Sequence, residues 1–106
     1  SVGAPPSARR RVLVTGATGL LGRQVMRALD ANLWEVRGIC RQRARPPQIV
    51  ACDLTVDGAP EAQVEAFRPH AVLHLAAEWR PEALRRGPAR SRLLNVDVTA
   101  ALAAAC

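Results

Sequence analysis

The sequence predicts an α/β fold in which helices flank an incomplete parallel β-sheet with strand order 3-2-1-4. Two observations predict it. Short apolar runs alternate with segments of helical period along most of the 106 residues, and such alternation is typical of parallel strands joined by helical crossovers. In addition, the first apolar run stops at Gly16, and glycines recur at positions 19 and 22 before an amphipathic helix begins.

The first strand and helix surround these glycines. We predict strand one over Arg11–Thr15, because its middle is continuously apolar, as expected of a strand covered on both faces. Helix one is predicted over Leu20–Ala31, with Asn32 as its stop. Its apolar face at helical spacing consists of Leu21, Val25, Ala28 and Leu29.

The middle of the chain predicts two strands and a helix. Strand two is placed at Trp34–Cys40 and strand three at Gln48–Cys52, with a basic loop between them. The turn Asp57-Gly58 leads into helix two, Pro60–Phe67, which we expect to bury Val64 and Phe67. Pro69 ends this helix, because proline removes a backbone donor.

The last predicted strand is Ala71–Leu75. A short helical turn at Pro81–Arg86 and a helix beginning near Ala89 or Arg90 follow it. In the predicted order, strand four lies at an apolar, open edge, which native sheets rarely leave uncovered. We therefore expect residues 10–106 to be the N-terminal part of a larger domain, and residues 1–9 to be a flexible leader.

Composition limits the classes of function. The net charge of +6 comes from fifteen arginines without any lysine. These arginines are scattered and aromatic residues are few, so nucleic-acid binding is not expected. No apolar stretch reaches the roughly 18 residues needed to span a bilayer, so no membrane partner is expected. We expect a cytoplasmic protein. Arg9-Arg10-Arg11 form either a solvated lead-in to strand one or a localisation patch, so a nuclear location stays open. The three cysteines lack the spacing of a disulfide framework or zinc site.

The glycine turn predicts a dinucleotide-binding site of the Rossmann type. Glycines allow the backbone to approach a pyrophosphate, and the first turn of the following helix offers unpaired N–H groups and the positive end of its dipole. We expect Thr18, Gly19, Leu20 and Leu21 to meet the pyrophosphate, with Gly16 and Gly22 completing the turn. The alternative is a turn that only permits close packing of helix on strand.

The end of strand two predicts NADP rather than NAD as the cofactor. An acidic residue here would bind the ribose hydroxyls of NAD, whereas this chain has Arg41, Gln42 and Arg43. Guanidinium groups pair well with a 2′-phosphate. A solvated basic loop is the alternative.

Two further loops complete the predicted site. After strand three, Asp53 is placed to meet the adenine amino group, and Leu54 to flank the ring. After strand four, the small side chains near Leu75, Ala76 and Ala77 leave room for the nicotinamide ribose. His70 and His74 lie about 13 Å apart on a strand, too far for one metal ion, so we expect His74 to pack beside the cofactor wall.

Several stretches together resemble a known family. The turn Gly16–Gly22, Asp53-Leu54, His74–Ala77 and Asn95-Val96-Asp97 resemble the extended short-chain dehydrogenase/reductases, including dTDP-4-dehydrorhamnose reductase. More narrowly, the chain resembles the regulatory β subunits of methionine adenosyltransferase. That similarity is carried by the stretches Arg10–Arg23, Arg43–Pro46, Pro69-His70, Ala76–Glu78, Arg80-Pro81 and Leu94–Asp97.

The resemblance implies an NADP-binding subunit that associates with the methionine adenosyltransferase catalytic subunit and modulates S-adenosylmethionine synthesis. It implies cofactor contacts at Thr18–Leu21, Arg41–Arg43, Cys52, Asp53 and Leu75. One departure is Trp79, where the family has an arginine.

The resemblance also bears on catalysis. Active reductases of the family use a tyrosine and a lysine four positions later, and this chain contains neither residue type. A non-catalytic regulatory subunit is therefore expected. The alternative is the N-terminal half of an NADP-dependent sugar-nucleotide reductase or epimerase.

Overall fold

The computed structural model describes residues 9–41, 44, 48–76 and 97–106. Four strands form one parallel sheet in the order β3-β2-β1-β4. The strands are β1 (Arg10–Thr15), β2 (Trp34–Cys40), β3 (Ile49–Ala51) and β4 (Ala71–His74), and the described helices are α1 (Leu20–Ala28), α2 (Ala59–Phe67) and α3 (Val98–Ala105). The predicted fold class and strand order are confirmed.

Some predictions fall outside the described residues. They concern Gln42, Arg43, Ala77, Trp79, the helical turn at Pro81–Arg86 and the start of the last helix near Ala89. In the part of the chain that the structure describes, no helix has the length and apolar character needed to cross a membrane.

The sheet carries an apolar core on each face, because successive side chains of a strand point to opposite sides. Leu13 and Ile39 are buried on one face, against Val64 and Phe67 of α2 and Leu102 of α3. On the other face, Val12 and Val14 of β1 pack under α1. The central strand β1 is therefore covered on both sides, as its continuous apolar run predicts.

Helix α2 follows its prediction closely. Val64 and Phe67 are 7% and 8% exposed, so both expected core positions are confirmed. The helix ends at Phe67, and its C-cap is Arg68, whose φ of 52° lies in the left-handed region. At this end, the Nε–H of Arg11 donates to the carbonyl oxygens of Phe67 at 3.1 Å and of Arg68 at 2.8 Å. A cation at a helix C-terminus satisfies carbonyls that lack intrahelical partners.

Helix α1 ends at Ala28, three residues before its predicted end. Leu29 is already extended, with φ −72° and ψ 120°. Asp30 explains the early stop, because its carboxylate accepts the Asn32 N–H at 2.9 Å. Its carbonyl oxygen also accepts the N–H groups of Leu33 and Trp34. This turn leads the chain directly into β2.

The apolar face of α1 also differs from the prediction. Leu21 is 62% exposed and Ala28 is exposed, whereas Val25, Met26 and Leu29 pack on β1. The buried residue of the first turn is Gly22. Contact at Gly22 rotates the helix so that positions 22, 25, 26 and 29 face the sheet, and Leu21 points outward.

Strands β3 and β4 are shorter than predicted, although backbone hydrogen bonds continue past their ends. The Gly38 N–H donates to the Gln48 carbonyl and the Cys52 N–H to the Cys40 carbonyl, both at 2.8 Å. Likewise, the Leu75 N–H donates to the Thr15 carbonyl at 3.2 Å. Among the described strands, β4 lies at the edge beside β1.

Candidate functional site

The loops after β1, β2 and β4 meet at one edge of the sheet, because parallel strands place their carboxyl ends together. The Ala17 N–H donates to the carbonyl oxygen of Ile39 at 3.1 Å, which joins the glycine turn to the end of β2. On the other side, Gly16 lies directly against Leu75 and Ala76. The carboxyl edge is where open α/β sheets bind ligands.

Gly16 and Gly22 are required by close backbone approach. Gly16 has a φ of +68°, and a Cβ atom there would lie 2.8 Å from the Ala76 nitrogen. A Cβ atom on Gly22 would lie only 1.9 Å from the Gly16 carbonyl oxygen. The turn and the first turn of α1 therefore pack backbone on backbone, which both the predicted dinucleotide site and the alternative of a packing turn require.

The N-terminus of α1 is open in the way that an anion site requires. Gly19 is the N-cap, no side chain caps the helix, and its first turn carries no acidic residue. The Gly19 N–H bonds to the Gly16 carbonyl at 3.1 Å, which tightens the turn. Leu20 and Leu21 are 75% and 62% exposed. N–H groups and the positive dipole end at this position favour a phosphate.

Thr15 is a site residue that the sequence prediction missed. Among the residues that the structure describes, Thr15 is the one polar or charged residue that is buried, with 0% exposure. The hydroxyl oxygen accepts the N–H groups of Leu75 at 3.0 Å and Ala76 at 3.2 Å, and lies 2.5 Å from Nδ1 of His74. A lone hydroxyl residue at the end of an apolar strand was the available signal.

The ends of β2 and β3 carry the residues predicted to bind the adenosine half. Arg41 is exposed directly after β2. Cys52 is half-buried and packs against the core on the α2 side. The Asp53 carboxylate accepts the Thr55 N–H at 3.0 Å and the Thr55 hydroxyl at 2.6 Å. Asp53 therefore shapes the turn after β3, at the edge where the prediction placed it.

Leu54 has a role in the core in addition to its predicted place in the site. It is 5% exposed and belongs to the core cluster with Leu13, Ile39 and Val64. The apolar character of Leu54 therefore serves the core. Its contact with an adenine ring stays a prediction.

The two histidines have separate roles at opposite ends of β4. Nδ1 of His70 accepts the Arg11 N–H at 2.8 Å, at the amino edge of the sheet. His74 packs half-buried beside Thr15 at the carboxyl edge, next to Leu75 and Ala76. Over the described ranges, no group of three or more His, Cys, Asp or Glu residues has an arrangement that could hold a metal ion.

The structure therefore brings most described site residues to one edge, around the glycine turn and the ends of β2, β3 and β4. These residues are Gly16, Thr18, Gly19, Leu20, Leu21, Gly22, Arg41, Cys52, Asp53, Leu75 and Ala76. Leu54 follows Asp53 at this edge, with its side chain in the core.

Comparison with known proteins finds relatives of similar sequence. The chain is 44% identical over 94 residues to methionine adenosyltransferase 2 subunit beta of Danio rerio, covering 89% of this chain and 29% of that protein. The chain thus spans less than a third of the length of this relative.

Solved structures share the fold. dTDP-4-dehydrorhamnose reductase of Yersinia enterocolitica is 32% identical with a TM-score of 0.73, over 92% of this chain and 31% of that one. The same enzyme from Bacillus anthracis str. Ames, solved in complex with NADP, is 22% identical with a TM-score of 0.77, over 98% and 33%. The family model that matches residues 12–106 is described as the NAD dependent epimerase/dehydratase family. With its Rossmann sheet, its glycine turn and this match, the chain belongs to the NAD dependent epimerase/dehydratase family.

Proposed function

We propose that this chain is the dinucleotide-binding part of a non-catalytic regulatory subunit of methionine adenosyltransferase, and that it binds NADP. The observation that carries the proposal is the 44% identity to methionine adenosyltransferase 2 subunit beta, which extends over 89% of the chain. Under this proposal, the protein modulates S-adenosylmethionine synthesis by associating with the catalytic subunit.

The carboxyl edge of the sheet fits a dinucleotide. At Gly16 and Gly22 the packing leaves no room for a Cβ atom, so the turn stays narrow. The uncapped N-terminus of α1 supplies N–H donors for a pyrophosphate. The small Ala76, beside Leu75, leaves space for the ribose on the nicotinamide side.

The preference for NADP rests on Arg41. This residue is exposed after β2, where an acidic side chain would select the ribose hydroxyls of NAD. A guanidinium group forms charge-assisted hydrogen bonds with phosphate. Arg43 carries the same expectation from the sequence, although it lies outside the described residues.

A non-catalytic role is supported by the residue types present. The reductases that the chain resembles use a tyrosine as proton donor and a lysine that lowers the pKa of that tyrosine. The 106 residues contain no tyrosine and no lysine, so this stretch cannot supply the pair.

A second candidate is a sugar-nucleotide reductase or epimerase that uses this stretch as its cofactor-binding half. The observation that favours it is the 32% identity to the dTDP-4-dehydrorhamnose reductase of Yersinia enterocolitica. Both candidates require dinucleotide binding. Only the regulatory subunit is expected to associate with the methionine adenosyltransferase catalytic subunit.

Titration calorimetry with NADPH and NADH tests the cofactor. We expect tighter binding of NADPH, and Arg41→Asp should weaken NADPH by about 1.5–3 kcal/mol, the range for a lost hydrogen bond to a charged group. NADH should be affected much less. Arg10→Asp is the matched control, because it makes the same charge change at an exposed position on the opposite edge. Equal affinities for the two cofactors in the unsubstituted chain would contradict the NADP preference.

Retention on the immobilised methionine adenosyltransferase catalytic subunit, with and without NADP, tests the regulatory role. We expect retention that increases when NADP is present. Dinucleotide binding without any retention would contradict the regulatory proposal and favour the reductase or epimerase.

A further inference from the structure

Gly38 is a buried glycine in the interior of β2, a position at which glycine normally weakens a strand. It pairs with Val14 of β1 on one side and with Ile49 of β3 on the other, so regular backbone pairing continues on both sides. A glycine inside such a strand often marks a place where another part of the chain approaches closely. At Gly38 that part is the glycine turn.

The side chain of Ala17 occupies the space above Gly38. A Cβ atom on Gly38 would lie 2.6 Å from the Ala17 Cβ atom, and 3.2 Å from both Ile49 Cγ1 and Met26 Cε. The ends of the Ile49 and Met26 side chains can rotate away, but the Ala17 methyl group is attached directly to the backbone. Ala17 is 1% exposed, so the surrounding packing holds it in this place.

A backbone hydrogen bond fixes the same contact. The Ala17 N–H donates to the Ile39 carbonyl oxygen at 3.1 Å, so Ala17 is held on β2 by its backbone as well as by its methyl group. Thr18 follows Ala17 in the stretch that we have proposed to bind the pyrophosphate. Arg41, which we have proposed to bind the 2′-phosphate, follows soon after Gly38 at the end of β2. The contact between Ala17 and Gly38 therefore lies between the two proposed phosphate sites.

The separation of these two sites matters for NADPH and not for NADH. In NADPH the 2′-phosphate and the pyrophosphate are attached to the same ribose, so the groups that bind them must lie at a matching separation. A guanidinium group pairs with phosphate through short hydrogen bonds of defined geometry. NADH lacks the 2′-phosphate, so its binding does not depend on where Arg41 lies relative to the turn.

We propose that Gly38 is a positioning residue for cofactor specificity. By admitting the Ala17 methyl group, it sets the distance between the glycine turn and Arg41, and so favours NADPH over NADH. A methyl group at position 38 would push Ala17 away from the sheet, because the side chains of a strand stand roughly perpendicular to it. Carbon atoms in contact lie roughly 3.5–4.0 Å apart, so the approach of 2.6 Å requires a displacement on the order of 1 Å. This inference rests on the proposed NADP binding and adds a specificity residue to it.

Titration of Gly38→Ala with NADPH and with NADH is the first test, because the ratio of the two affinities does not depend on the folded fraction of the 106-residue chain. We expect the NADPH-over-NADH ratio to fall by about threefold or more, the effect of weakening one hydrogen bond to a charged group. An unchanged ratio would overturn the inference while leaving the NADP preference of the unsubstituted chain intact.

Val36→Ile is the matched control for this titration. It also adds one carbon to the α1 side of β2, two positions earlier and farther from the turn. It should leave the ratio of affinities unchanged. An equal fall in Val36→Ile and Gly38→Ala would overturn the inference, because the ratio would then respond to core packing in general.

A double-mutant cycle tests whether Gly38 acts through Arg41. In the Arg41→Asp background the contact with the 2′-phosphate is already lost, so adding Gly38→Ala should not change the ratio further. A fall in that background as large as the fall in the unsubstituted background would overturn the inference, because Gly38 would then act on another part of the site.

Variants of Ala17 decide the matter if Gly38→Ala does not fold. Ala17→Gly removes the methyl group without creating a clash, so it loosens the spacing and should also lower the ratio. The combined variant Ala17→Gly/Gly38→Ala moves the methyl group from the turn to the strand, and should restore part of the ratio. An unchanged ratio in Ala17→Gly, or no recovery in the combined variant, would overturn the inference. Equal affinities for NADPH and NADH in the unsubstituted chain would overturn both this inference and the proposed NADP preference.

Discussion

At the scale of single residues, Gly22 shows how the first turn of α1 depends on the absence of a side chain. A Cβ atom at this position would lie 1.9 Å from the carbonyl oxygen of Gly16, and 2.9 Å from the Cα atom of Ala17. Both are backbone atoms, so no side-chain rotation can relieve the contact. Any larger residue must move α1 away from β1.

We therefore expect Gly22→Ala to destabilise the chain by about 3 kcal/mol or more, the upper range for overpacking. Alanine favours helix over glycine by only about 1 kcal/mol, so the clash decides the sign. The free energy of unfolding in urea measures the effect. Gly19→Ala is the matched control: its Cβ atom would lie 3.3 Å from the same oxygen, and we expect a loss of about 1 kcal/mol or less. Similar losses in both variants would contradict this account.

The same scale shows why some side-chain roles could not be predicted. Leu54 follows Asp53 directly, and a leucine after a strand can point toward a ligand or toward a helix. Only the position of α2 reveals the packing, and the helix buries Leu54 with Val64. Thr15 was missed because a single hydroxyl residue in an apolar strand has no distinctive spacing, and its partners are 59 to 61 residues away.

At the scale of elements, Arg11 joins β1 to the C-terminus of α2. Its Nε–H donates to two carbonyl oxygens of that helix end. Its backbone N–H donates to Nδ1 of His70, and its carbonyl oxygen accepts the His70 N–H, both at 2.8 Å. The strand and helix are thus connected by a charge-assisted contact in addition to their apolar packing.

We expect Arg11→Met to lower the free energy of unfolding by about 1–2 kcal/mol, because it removes a cation from a partly buried helix C-terminus while keeping an unbranched stem. Added salt should reduce the difference. Arg10→Met, at the neighbouring exposed position, should change stability by no more than about 0.5 kcal/mol. Urea unfolding of the two variants makes the comparison, and equal losses would count against a specific role for Arg11.

Elements themselves were predicted well where the pattern was simple. The middle of β1 and the inward positions Val64 and Phe67 are as expected, since each depends on burial that a local apolar pattern expresses. The end of α1 was not predicted correctly, because Asp30 stops the helix through its own turn hydrogen bonds. The inward face of α1 was also missed, because a buried glycine adds nothing to an apolar pattern.

At the scale of the whole molecule, the strand order could be predicted because the position of the glycine turn after β1 implies a switch point there. The parallel registers of β1 with β2 and β4 confirm that order. What the sequence alone could not place is the contact between loops, such as Gly16 against Ala76. These contacts join segments far apart in the chain, and they create the candidate site.

Because the candidate site joins the loops after β1, β2 and β4, a bound dinucleotide should stabilise the whole sheet. A ligand at about a hundred times its Kd adds about 2.7 kcal/mol to the free energy of unfolding. For a domain near this size, that corresponds to a rise in Tm of roughly 10 °C or more.

We expect NADPH to raise the Tm of the chain more than NADH does at the same concentration, as measured by differential scanning calorimetry. Arg41→Asp should reduce the NADPH shift and leave the ligand-free Tm nearly unchanged, because Arg41 is exposed. Sodium phosphate at matched ionic strength separates simple anion binding at the α1 N-terminus from dinucleotide binding. Equal shifts with NADPH, NADH and phosphate would show that the glycine turn binds an anion without recognising the rest of the cofactor, and would contradict the proposed NADP site.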